Sequence, residues 1–118
     1  MAFSQDDKLT FLDALMDARR QGQLAEISLR SQGLTADADK MHKSVTVLSA
    51  QIDALIGRMM EDWLGQVDKA IADLAACTKG LQTAVDQIKK KVAIAQTVVK
   101  ALGFVDQAVA AAAKVFAA

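Results

Sequence analysis

From Val45 to Phe116 the chain contains no proline, and apolar side chains recur every three or four residues. The stripe runs Val45, Leu48, Ile52, Leu55, Met59, Trp63 and Val67, then Ala70, Leu74, Cys77, Leu81, Ala84 and Ile88. It continues through Val92, Ala95, Val99, Leu102, Val105, Val109, Ala112 and Phe116. Such spacing lines one side of an α-helix, and a second helix must cover that side. The expected fold is therefore all-α, an antiparallel bundle of three to four helices with coiled-coil-like packing around one long central helix.

A chain of 118 residues that is 53% apolar can bury a core and is expected to form one domain. Aromatic residues are few and alanine is abundant, so helices approach closely while each contact contributes little. Stability must then add up along a long interface, which self-association would lengthen. The single cysteine, Cys77, sits on the stripe and is expected to be a buried, inert thiol in a reducing cytoplasm. Asp6 and Asp7 stand where a secretory signal would need basic residues. Lys100, Asp106 and Lys114 interrupt the apolar tail, which argues against a transmembrane span.

The formal charge is zero but unevenly spread. Residues 1–78 carry eight basic and twelve acidic groups, a net −4, while residues 79–118 carry six basic and two acidic, a net +4. Opposite charge on two segments favours contact between them, within a chain or between copies.

Helix boundaries follow from the punctuation. Ser4 and Asp7 form a capping pair for a first helix over about residues 5–30, and Ser31, Gln32 and Gly33 form a stop. Thr35 or Asp37 can cap a second helix running over about 36–78, roughly 60 Å long. Its heptad holds to Met59, and steps of four through Trp63 to Val67 amount to a stutter. Lys79 and Gly80 read as the end of that helix, the alternative being an uninterrupted helix through Gly80, since the stripe keeps phase from Cys77 to Leu81. A third helix then covers about 81–102 and a fourth about 104–117, or one helix covers both if it spans Gly103.

Chemistry finds little support. The chain has one histidine, one cysteine and no tyrosine. His42 lies one helical turn after Asp39, a pairing common on helix surfaces, and no second histidine completes a metal site. Cys77 and His42 are too far apart along one helix to act together. No phosphate loop, zinc spacing or calcium loop is present, and Gly57, Gly65 and Gly80 lie in helical pattern, where close helix packing accounts for them. The chain is thus expected to be non-catalytic and to hold no cofactor or metal.

Trp63-Leu64-Gly65 resembles the Trp-x-Gly signature of the small helical hairpin proteins exported by type VII secretion, and the chain length is similar. The resemblance covers three residues. That family places its signature in a turn between two helices, whereas here Met59, Trp63 and Val67 keep helical phase through it, and the tyrosine of the export tail has no counterpart. Its function is not carried over.

The expected function is helix-to-helix association, as a homo-oligomer and with a protein partner. Leu48, Ile52, Leu55, Met59 and Trp63 are the candidate packing and interface residues, Trp63 being the best anchor. The second reading is a membrane-active protein using the basic, apolar segment 88–117, with Lys89, Lys90, Lys91, Val98, Val99, Leu102, Phe104, Val105 and Phe116 meeting a membrane surface or a partner. Nucleic acid is disfavoured, because three consecutive lysines fan around a helix and no stacking aromatics accompany them.

Overall fold

The computed structural model of the chain describes residues 5–57 and 67–116, and within them four helices and no strand. They are α1 (Gln5–Ser31), α2 (Thr35–Gly57), α3 (Val67–Lys89) and α4 (Ile94–Phe116). Each carries its own heptad. The central heptad positions, all buried, are Lys8, Phe11, Leu15, Ala18, Gly22, Ala25 and Leu29 on α1, flanked by Leu12 and Ser28, and Ala38, Met41, Val45, Leu48, Ile52 and Leu55 on α2. On α3 they are Ala70, Leu74, Cys77, Leu81, Ala84 and Ile88, and on α4 Val98, Ala101, Val105, Ala108, Ala112 and Val115. The intervals alternate between three and four throughout, the pattern that lets side chains of one helix enter the gaps of its neighbours. The all-α bundle is thereby observed.

Short turns make α1 with α2, and α3 with α4, antiparallel hairpins. Gln32, just past α1, donates its Nε2–H to the Ile88 carbonyl near the end of α3 at 2.7 Å. Both turns therefore lie at the same pole, and α1 runs parallel to α3. In cross-section α1 packs on α2 and α3, α4 packs on the same two helices, and α2 and α3 occupy opposite corners with hardly any contact. The bundle measures 47 × 21 × 19 Å.

Three boundaries differ from expectation. No helix spans 36–78: α2 ends at Gly57 and α3 begins at Val67, while Met59, Trp63 and the stutter lie outside the described residues. The turn expected at Lys79-Gly80 is absent, since α3 continues to Lys89. Gly80 is instead a socket, because a Cβ there would overlap the ring of Phe104 on α4. Finally, the helix expected over 81–102 breaks at residues 90–93, and α4 passes Gly103 without interruption.

The phase of the stripe changes at that break. Val92, Ala95 and Val99 are exposed, and the side facing the core is set by Val98, Ala101 and Val105.

Both tight turns share one hydrogen-bond pattern. After α1, Leu34 N–H bonds the Leu29 carbonyl at 2.9 Å and Gly33 N–H bonds that of Arg30 at 3.1 Å. After α3, Val92 N–H bonds the Gln87 carbonyl at 2.9 Å and Lys91 N–H bonds that of Ile88 at 3.1 Å. These are Schellman closures, which need a left-handed residue at the penultimate position. Gly33 supplies it with φ 78°, whereas the second turn uses Lys91 with φ 60°, and Ala93 follows with φ 44°. A side chain in that region costs about 1–2 kcal/mol. The first turn also packs Leu34 against the core, while its counterpart Val92 is half exposed. The caps at the helix starts differ from expectation too: the Leu34 carbonyl accepts the first bond of α2, from Ala38 N–H, Thr35 opens the helix and Asp37 lies in its first turn. Ser4 lies outside the described residues.

Two predictions follow from the glycines and the second turn. Gly80→Ala gains about 1 kcal/mol of helix propensity but overpacks Phe104 at a cost of about 1–3 kcal/mol, so the urea midpoint should fall. In a Phe104→Ala background the same change should raise it, a reversal that a double-mutant cycle measures directly. Lys91→Gly should stabilise the chain by about 1 kcal/mol, and Gly33→Ala should destabilise it by a similar amount, both read from thermal unfolding.

Candidate interaction surface

Leu48, Ile52 and Leu55 have no exposed surface, so the folded chain uses them against its own α1 and α4 and offers them to no partner. Met59 and Trp63 lie outside the described residues. The nine candidates of the C-terminal segment do not form one surface. Val98 and Val105 are core, Leu102 and Phe104 are partly buried, and Val99 is 69% exposed. Lys89, Lys90 and Lys91 are exposed where α3 ends and turns. Phe116 ends α4, with its side chain outside the description. Among the described residues no helix is long and apolar enough to cross a membrane.

The polar groups form structural pairs. Glu26 on α1 meets His42 Nδ1 on α2 at 3.1 Å and Arg30 at 3.2 Å, and Arg30 also reaches Asp39 at 3.1 Å. His42 thus pairs across the hairpin with Glu26 and not with Asp39, which Arg30 engages. The hydrogen bonds that Arg30 donates to Asp39 and then to Glu26 raise its pKa above the ordinary value. Such exposed pairs contribute little to stability, and two of the three join α1 to α2 across the hairpin. Among the described residues no group of three metal-ligating side chains converges.

Cys77 is buried between α3 and α4, and its thiol donates to Gln107 Oε1 at 3.2 Å. Burial, and then the nearby charge of Asp73, push its pKa up, the opposite of what an attacking thiolate needs.

What remains is the outside of the bundle, and its opposite faces differ. Between α2 and α4 lies a groove of about 550 Å³ lined by Lys43, Ser44, Val47, Asp106, Val109 and Ala110. Seven-residue steps from these positions reach Ala50 and Ala54 on α2, and Val99, Gly103 and Ala113 on α4. Val47 is 51% exposed, and Ala50, Ala54, Ala110 and Ala113 are exposed as well. Over about four turns the only charge along this strip of α4 is Asp106. The corresponding outer positions of α1 and α3 hold exposed Asp13, Asp17, Arg20, Lys79, Asp86 and Lys89, together with exposed Ile27, Ala72 and Ala76. The strip is thus apolar and sparse in charge on α4, while on α2 exposed Lys40 and Lys43 flank Val47. The sequence reading missed it because it followed the buried stripe; the signal lies in the outer positions of the heptad, legible once the register of each helix is known.

The glycines separate in the same way. A Cβ at Gly22 would lie 2.7 Å from Val45 Cγ2 and 3.5 Å from Val105 Cγ2, so Gly22 seats the core as Gly80 seats Phe104. Gly103 seats nothing, since a Cβ there meets no atom within 4 Å. In mid-helix a glycine costs about 1 kcal/mol relative to alanine, and within the chain nothing offsets it.

The Trp63-Leu64-Gly65 string falls between α2 and α3, outside the described residues, and those two helices are not paired as a hairpin. No family model, curated protein or solved structure matches this chain.

The state of Cys77 is directly testable. In the native protein at pH 8 it should react with a thiol reagent far more slowly than in denaturant. Because its folded pKa is raised, the stability it contributes is complete below the ordinary thiol pKa and is lost as pH rises through the folded value. Alkaline unfolding midpoints of wild type and Cys77→Ala should therefore converge.

Proposed function

We propose that this chain is a non-catalytic helical bundle that works by helix-to-helix association through its α2/α4 face, with a second copy of itself and with helical surfaces of other proteins. The observation that carries the reading is a continuous strip of exposed Val47, Ala50 and Ala54 on α2 beside Val99, Ala110 and Ala113 on α4, where charges are sparser than on the outer positions of α1 and α3. Alanine and glycine at outer helix positions admit another helix at close range, and their burial would stabilise a complex by roughly 25 cal/mol per Å². The buried thiol suits a reducing compartment, and we place the protein in the cytoplasm. The membrane reading asks more of the fold, because Val98 and Val105 can reach lipid only if the bundle opens.

Sedimentation equilibrium tests this. Wild type should be at least dimeric at about 100 μM, the range expected of a modest interface. Ala110→Glu should yield a monomer with an unchanged helical spectrum, while Ala72→Glu on α3 should leave the assembly intact. A wild-type chain that is strictly monomeric throughout, or an assembly insensitive to Ala110→Glu, overturns the self-association through this face. Binding to vesicles with loss of helix–helix packing would favour the membrane reading in its place.

A further inference from the structure

We infer that the α2/α4 face is covered by the same face of a second copy, in a parallel two-fold arrangement that sets α2 of each copy on α4 of the other, with Lys43 lying over Gly103 and pairing with Asp106. The inference rests on the self-association reading above and specifies its geometry.

The heights along the bundle come from one contact. Gly22 lies against both Val45 and Val105, so these two residues sit at one level of the parallel helices α2 and α4. A two-fold axis along the bundle preserves height and exchanges the two helices. Each residue of α2 then lies at the height of the residue sixty positions later on α4 of the second copy, the offset between Val45 and Val105, and the outward-pointing ones meet. Lys43 falls opposite Gly103, and Ala50 falls opposite Ala110. All four occupy the same outer heptad position, so a long side chain meets a glycine and a methyl meets a methyl.

Gly103 is the independent observation. Its φ is not left-handed, no turn occurs there, and a Cβ would meet nothing within the chain. A side chain arriving from outside supplies the reason for its smallness. The Lys43 stem can lie across Gly103 and carry its ammonium the single turn to Asp106, the one carboxylate on this strip of α4. Within the chain both residues line the groove, and neither forms one of the ion pairs found among the described residues. The two-fold makes the pair twice. An axis across the bundle would set α2 on α2 and α4 on α4, leaving each Asp106 against α4 without its lysine. The zero net charge of the chain opposes neither arrangement.

Charge exchange tests the register on the full-length chain. By sedimentation equilibrium, Lys43→Glu and Asp106→Lys should each weaken the dimer about tenfold or more, and the combined variant should recover most of the wild-type affinity. Gly103→Ala should raise the melting temperature of the dilute monomer while weakening the dimer, and Gly103→Leu should abolish the dimer with helicity retained. If wild type dimerises but ignores both Gly103 substitutions, or if the charge exchange fails to restore it, this arrangement is overturned and the self-association reading stands. A wild-type chain that never dimerises removes both.

Discussion

The fold depends on four heptad stripes closing on one another within one chain. No side chain dominates that closure: α1 contributes one phenylalanine with leucines and alanines, α2 and α3 contribute leucine and isoleucine with smaller residues between them, and the fully buried apolar residues of α4 are valine and alanine, with Phe104 packed beside them. Small residues allow close approach of the helices, and Gly22 and Gly80 are its extreme cases, each accommodating a side chain from a neighbour. A core of this kind gains its stability from the number of contacts, with each buried valine or leucine contributing about 1.5–3 kcal/mol against the ordering of its backbone. Alternation of large and small residues then sets the register, because a shift by one turn would drive Phe104 into a residue bearing a Cβ.

Internal closure also redirects the question of function. A long uncovered stripe would make self-association a condition of folding, and the residues of the stripe would be the interface. Here the stripe is consumed by the chain's own hairpins, which leaves the outer surface as what the bundle presents to its surroundings. That surface is uneven, with charges denser on α1 and α3 and a strip of small apolar residues running between α2 and α4. Among the described residues His42 and Arg30 pair α2 with α1, and the Cys77 thiol is buried and bonded.

How much of this the sequence discloses varies along the chain. The all-helical class, the heptad from Val45 to Leu55 and the turn at Gly33 are legible, because proline is absent, the spacing is regular and glycine announces a left-handed closure. The second turn is hidden for two reasons. Lys91 and Ala93 adopt a conformation that glycine would have signalled, and the step of four from Ile88 to Val92 keeps apolar residues in phase across the break. Val92 and Val99 then outweigh the alanines that line the true core of α4. Gly80 misleads in the reverse sense, since a lysine followed by glycine resembles a helix end while its reason lies 24 residues away in Phe104. The α2/α4 face was not visible at all until the helices had been oriented, because its residues are individually unremarkable.

The topology gives the bundle two unlike ends. Both tight turns lie at one pole, joined by Gln32 and Ile88, whereas the start of α1, the end of α2, the start of α3 and the end of α4 all lie at the other. One end is sealed by hydrogen-bonded turns, and every route for extending the chain leaves from its opposite. Anything tethered to either end of the helical array emerges in the same direction, which makes the bundle a one-sided stud, and a parallel pair of bundles would present its attachments together.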